Sequence, residues 1–161
     1  MNQVRKIFLL NQLAISIATG FGSGFSPKAP GTIGSLAALP LIWIFHLDQW
    51  TTWEVVIWIF LVCAVGLWAT AKTEKIWKTH DDPRIVVDEF AGMFITLAWF
   101  PFDLPHVLSG FLLFRLFDIW KPGPIGYIDE HAPGAWGTFF DDILAGAFAA
   151  ALIFGGRRLI G

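Results

Sequence analysis

Two pairs of adjacent acids carry most of the chemical potential of this chain. Asp88 and Glu89 stand side by side in RIVVDEFAGMFITLAWF (residues 84–100), and Asp141 and Asp142 in DDILAG (141–146). Both pairs border apolar stretches, where an ionisable side chain is costly and is a functional candidate by default. The two share a pattern: Asp88 is followed four residues on by Gly92, and Asp142 four on by Gly146, with an alanine before each glycine. On a helix, residues four apart lie on one face. A glycine one turn beyond a carboxylate leaves room for a neighbouring helix or a ligand to approach. Capping of helix N-termini, where the macrodipole favours negative charge, accounts for one acid per helix. It accounts poorly for two at both, because like charges repel. A divalent cation resolves the repulsion, and clustered carboxylates with water are what Mg²⁺ prefers. The pattern favours a Mg²⁺ site at Asp88, Glu89, Asp141 and Asp142, with Asp118 a further candidate.

A basic set accompanies the acids. In RLFDIWKPGPIGYIDEH (115–131), Arg115 and Asp118 share a face at i and i+3, and Lys121 follows before Pro122 and Pro124 stop the helix. Snorkelling residues with one ion pair would look similar if Arg115 or Lys121 stood alone. Together with the acids, the set reads as a metal–phosphate site: carboxylates hold the cation, Arg115 and Lys121 hold phosphate oxygens. SPKAPGTIGS (26–35) adds a stiff Pro- and Gly-rich turn, with Thr32 and Ser35 as N-cap candidates for the next helix. Lys28 and the free N–H groups of that helix start suit a phosphate, although an ordinary lead-in loop has the same composition. Other phosphate chemistries lack their marks. Cys63 lies mid-segment without an Arg loop, no Asp-x-Asp triplet occurs, and there is no GxxxxGK[ST] loop. His80 and His131 read as structural rather than as general acids.

These residues need a scaffold, and composition names its medium. The 161 residues are 55% hydrophobic and 15% charged, with mean hydropathy +0.61. A soluble domain of this size has no interior large enough for that much apolar surface. The expected fold is an all-α integral membrane protein, a single domain over residues 1–161. It should have about four transmembrane helices plus an N-terminal interfacial or re-entrant helix at 7–25. Further apolar segments fall at 33–47, 55–71, 86–100, 107–117 and 139–154, several shorter than the ~20 residues that cross a bilayer core. The longer connections are 72–85 and 118–137. The N-terminus resembles a signal peptide but lacks a small-x-small cleavage site, so its retention is expected. A net charge of −2 gives no reason to expect nucleic acid.

Lys and Arg set the orientation. Arg5, Lys6, Lys28, Lys72, Lys75, Lys78, Arg84, Arg115 and Lys121 fall on one side, while the turns at 46–54 and 101–106 hold none. Arg157 and Arg158 break the rule. Ten of the thirteen acids share the basic side, and Asp48, Glu54 and Asp103 do not. The polar chemistry is therefore gathered at one membrane surface, the inner one. Trp43, Trp50, Trp53 and Trp99 fit an outer aromatic belt, and Trp68, Trp77, Trp120 and Trp136 an inner one.

SPKAPGTIGSL, IVVDEFAG, RLFDIWKPGPI and DDILAG, in that order and spacing, resemble the phosphatidylglycerophosphatase A family over about residues 20–150. The resemblance implies a Mg²⁺-dependent lipid phosphatase of the bacterial inner membrane, with its active site on the cytoplasmic face. Such an enzyme converts phosphatidylglycerophosphate to phosphatidylglycerol and inorganic phosphate. The matching positions are Lys28, Thr32, Asp88, Glu89, Arg115, Asp118, Lys121, Asp141 and Asp142. Of these, Asp88, Glu89, Asp118 and Asp142 take catalytic roles, and Lys28, Thr32, Arg115 and Lys121 bind the substrate phosphate. Two other classes use similar residues: a small transporter or cation-binding protein, and a phosphotransferase of phospholipid synthesis. An ion path needs ionisable residues through the bilayer midplane, and the interiors of 55–71 and 143–154 have none. The longer Asp/Gly/Ala/Arg signature of the transferases is absent.

Overall fold

The computed structural model describes residues 3–45 and 50–160, so the expected outer turn at 46–49, with Asp48, lies outside the described residues. Among the described residues every regular element is helical. In order come α1 (Gln3–Ala18), a 3₁₀ segment (Gly20–Phe25), α2 (Pro30–Phe45), α3 (Thr52–Trp77), α4 (Val87–Leu97), α5 (Leu104–Trp120), α6 (Pro124–His131) and α7 (Ala135–Ile160).

The helix ends follow local chemistry. Thr51 and Glu54 close a capping box on α3, and Lys78 ends that helix in the left-handed conformation. Asp103 caps α5 by accepting from the His106 backbone N–H at 3.0 Å, and Lys121 ends it with φ 47°. Thr32 and Ser35 are not caps. α2 begins at Pro30, whose ring pre-sets a helical φ, so both hydroxyls fall inside the helix. The segment read as one element at 7–25 is two: α1 ends at Ala18, and the 3₁₀ segment that follows opens on Gly20 at φ 53° and is itself kinked at Phe21 and Gly22. The connection read at 118–137 holds a short helix, α6, started by Pro124.

α4 is the centre. Every residue of it except Glu89 is buried, and α2, α3, α5 and α7 pack around it, with α1 outside α3 and α6 beside α7. The core runs through Val86, Phe90, Met93, Phe94, Leu97, Phe114 and Ala145. The outside of the bundle is apolar too: Phe8, Trp43, Phe60, Leu112 and Leu152 are all exposed, far more than a water-facing surface carries as one patch. By length and composition, α3 and residues Ala135–Arg158 of α7 are able to cross a membrane. α4 has 11 residues, ~16 Å at ~1.5 Å per residue, and falls short of a ~30 Å hydrocarbon core.

Candidate active site

The site forms where α4 and α7 cross. A Cβ on Gly146 would overlap the carbonyl of Gly92, and a Cβ on Gly92 would overlap the ring of Phe114. The two backbones are therefore in contact. Thr96 pins the crossing, donating its hydroxyl to the Gly92 carbonyl at 2.8 Å and more weakly to that of Gly146 at 3.4 Å. The helices run parallel, so the residues one turn before each glycine are also neighbours. Those residues are Asp88 and Asp142, both buried. One carboxylate oxygen each from Asp88, Glu89 and Asp142 lies within 4.8 Å of the others.

Backbone hydrogen bonds set the aim of these acids. The Val86 N–H donates to the Ala18 carbonyl at 2.8 Å, fixing the start of α4 on the end of α1. Asp88 accepts from the Glu89 N–H at 3.0 Å, and Asp141 from the Asp142 N–H at 2.9 Å. Capping explains neither Asp141 nor Asp142: α7 starts at Ala135 and has no acid in its first turn.

α5 supplies the positive charge. Arg115 is ion-paired with Asp118 and stands 4.0 Å from a Glu89 carboxylate oxygen. It also donates to the Ser35 hydroxyl of α2 at 3.4 Å, and Ser35 in turn donates to the Gly31 carbonyl at 2.8 Å. A Cβ on Gly31 would collide with the Glu89 carboxylate, so the first turn of α2 lies directly on Glu89 and Arg115. Asp118, held by Arg115, brings a further carboxylate from α5 to the same place. Four elements thus converge on one point.

The remaining expected residues lie around this point. Thr32 is half-buried in the first turn of α2, and Lys28 is exposed in the preceding loop, its carbonyl accepting from Ser26 at 2.9 Å. The Lys121 ammonium sits 2.6 Å from both Asp129 of α6 and Asp141 of α7. Partial burial opposes the Lys121 charge, but these two partners outweigh it and hold the ammonium pKa above the ordinary lysine value. Asp141 accordingly faces Lys121, while Asp88, Glu89 and Asp142 face one another. His80 pairs with Glu74 at 3.0 Å and His131 with the Tyr127 carbonyl at 2.9 Å, both away from the cluster.

Charge balance tests the site for a cation. Among the described residues, the ion pairs that reach Asp88, Glu89, Asp118 and Asp142 come from Arg115 alone. Glu89 keeps one buried oxygen with no hydrogen-bond partner, and Arg115 a buried Nε without one. Buried carboxylates in such excess are strongly destabilising unless neutralised. The donor set is all oxygen and multiply charged, which fits Mg²⁺.

The family model of phosphatidylglycerophosphatase A matches residues 16–157 of this chain. The chain belongs to the phosphatidylglycerophosphatase A family. It is 41% identical over 139 residues to phosphatidylglycerophosphatase A of Escherichia coli (strain K12), covering 86% of this chain and 80% of that one. It is 40% identical over 154 residues to phosphatidylglycerophosphatase A of Haemophilus influenzae, covering 95% and 93%. A Bacteroides thetaiotaomicron protein with the provisional name phosphatidylinositol-3-phosphatase is 42% identical over 159 residues, covering 92% and 96%. No solved structure matches the chain. Within this family member, the residues that the sequence did not single out for the site are Gly31, Ser35, Thr96 and Asp129.

Proposed function

We propose that this protein is a Mg²⁺-dependent lipid phosphomonoesterase that hydrolyses phosphatidylglycerophosphate to phosphatidylglycerol and inorganic phosphate. The observation that carries the reading is the convergence of Asp88, Glu89 and Asp142 beside Arg115, in a chain of this family. Asp88, Glu89 and Asp142 would hold the ion, with Asp118 and Asp141 next to them. When bound, Mg²⁺ supplies Lewis-acid polarisation of a phosphoryl oxygen and a lowered pKa for a bound water.

The chain's own residues do the rest. Arg115, oriented by Asp118 and Ser35, presents its guanidinium to the phosphate and offsets charge that develops there. The first turn of α2 adds unpaired backbone N–H groups near Thr32, with Lys28 at the entrance. A cluster carboxylate takes the proton of the attacking water. Lys121 aligns Asp141 through its ion pair. In the same reading the bundle crosses the bacterial inner membrane about four times, α3 and α7 being the longest spans, and the site faces the cytoplasm. The gathering of Lys, Arg and most acids at that end supports this orientation.

The test is phosphate release by purified protein in detergent, with Mg²⁺ and with EDTA, for wild type and Asp88→Asn. Phosphatidylinositol 3-phosphate serves as the competing substrate, because one relative carries that name. Release from phosphatidylglycerophosphate that needs Mg²⁺ and is lost in a folded Asp88→Asn is expected. No release by folded wild type overturns the reading, faster release from the inositol lipid corrects the substrate, and a new phosphodiester in place of free phosphate identifies a transferase.

A further inference from the structure

On the far side of the α4–α7 crossing from the carboxylates, α3, α4 and α7 leave an open groove of about 440 Å³, inside the ~300–1,000 Å³ range of small-ligand sites. Val56 and Ile59 form one wall, Ile95 and Trp99 another, and Ala147 and Ala151 the floor. No charged residue lines it. Both alanines are exposed, and their small side chains are what open the cleft between larger neighbours.

The groove and the carboxylate cluster are built on the same pair of helices. Ala147 follows Asp142 by five residues and Phe154, at the far end of the groove, follows it by twelve. At ~1.5 Å per residue the groove begins about 8 Å from the carboxylates and ends about 18 Å from them. One leaflet of hydrocarbon is about 15 Å deep, half of a ~30 Å core. A lipid whose phosphate sits among Asp88, Glu89, Asp142 and Arg115 therefore has its acyl chains beside the near end of this groove, at Ala147, and an extended long chain continues past the midplane toward Trp99 and Phe154. Their direction is along the helix axes, as the groove runs.

Resting on the lipid-phosphatase reading, we propose that this groove seats one acyl chain of the phospholipid substrate, making Ala147 and Ala151 specificity-determining residues for chain length. A chain of six carbons reaches only the mouth, whereas a palmitoyl chain fills the groove.

Ala147→Phe and Ala151→Phe fill the cleft from exposed positions, and Leu152→Phe adds the same ring on an exposed position of α7 outside the groove. The measured quantity is the ratio of kcat/KM for dipalmitoyl over dihexanoyl phosphatidylglycerophosphate. The expected result is a fall in this ratio of about tenfold or more in both alanine variants and none in Leu152→Phe. An unchanged ratio in folded Ala147→Phe and Ala151→Phe overturns the proposal. If either fails to fold, Ala147→Val and Ala151→Val are read in the same way.

A second arm separates this inference from the function on which it rests. Phosphatidylglycerol bearing a photoreactive diazirine near one chain end is crosslinked to wild type and the labelled peptides are mapped. Label at Trp99 or Phe154 supports an acyl site even if wild type releases no phosphate. Label confined to other faces of the bundle overturns the acyl site even if the phosphatase activity is found.

Discussion

Gly146 of α7 lies against the backbone carbonyl of Gly92 of α4, and this contact is what brings Asp142 beside Asp88 one helical turn away. The two acids depend on the absence of two side chains. Gly146→Ala places a methyl group on the Gly92 carbonyl and must push the helices apart. A stability loss of about 1–3 kcal/mol is expected from the overpacking. Activity should fall further than stability implies, since a ~1 Å displacement of catalytic groups can cost ~100-fold. Thermal unfolding in detergent and phosphate release on the same preparation check both. Full activity in the variant would show that the crossing does not set the site.

Asp141 and Asp142 are adjacent in sequence but differ in partner, so their substitutions should differ. Asp142→Asn removes a carboxylate from the Asp88–Glu89 group. It should cut turnover by roughly 10²–10³-fold, the scale of losing one transition-state electrostatic contact. Its folded stability should hold or rise, because like-charge repulsion is relieved. Asp141→Asn instead leaves Lys121 with Asp129 as its remaining ion-pair partner. It should lower stability and reduce turnover less. Equal effects of the two on kcat and on unfolding temperature would refute this division of roles.

Parts of this arrangement were legible in the sequence because they are local. The Asp-to-Gly spacing in both acidic motifs reports a helical face, and Arg115 with Asp118 reports an i,i+3 pair; both survive in the fold. What could not be read depends on chain returning from afar. Nothing near Gly31 says that its α-carbon will rest on Glu89 and near Arg115, a contact between three separate helices. Nothing near Lys121 says that Gly123, at φ 53°, and Pro124 will start α6 and bring Asp129 to the Lys121 ammonium. Pro30 outcompetes Thr32 as the helix start because a fixed φ acts before any side-chain cap can. The eight residues of α6 are too few for a hydrophobic period to show.

A cation that binds the folded cluster and not the unfolded chain must raise stability by linkage. At a Mg²⁺ concentration ~100 times the dissociation constant, the gain is about 2.7 kcal/mol. The unfolding temperature of wild type should therefore rise with Mg²⁺ and fall in EDTA, whereas Asp88→Asn should respond weakly. Differential scanning fluorimetry or calorimetry in detergent reads this without any substrate. The same Mg²⁺ response in wild type and Asp88→Asn would place the cation elsewhere.

The loop leading into α4 carries its own pH dependence. Hydrogen bonds from Arg84, at 2.8 and 2.7 Å, hold the Asp82 carboxyl below its ordinary value against the opposing effect of burial. A carboxyl depressed by folding contributes stability above its unfolded pKa, near ~3.9. That contribution is lost as pH falls through the lower folded value. Asp82→Asn should thus be less stable than wild type at pH 7, with the difference shrinking below about pH 4. Unfolding temperatures of the two proteins at pH 7, 5 and 3 decide it; a gap that widens on acidification would reverse the sign and remove Asp82–Arg84 as its source.

Arg115→Lys keeps the charge and should still fail. The guanidinium reaches Asp118, Ser35 and Glu89 together, and a planar fork of donors does this where an ammonium acts as a single point. Lysine at this position can pair with Asp118 or approach Glu89, but it lacks the geometry to hold both and still face a phosphate. KM should rise and kcat fall together, by roughly 10²-fold in kcat/KM, the equivalent of about 2.7 kcal/mol of transition-state binding. Ser35→Ala removes only one of the partners that orient Arg115, so its loss should be smaller and should appear mainly in KM. Steady-state kinetics on the two variants test the idea directly. If Arg115→Lys retains wild-type kcat/KM, charge alone suffices and the orienting contacts from Ser35 and Asp118 have no part in binding the phosphate.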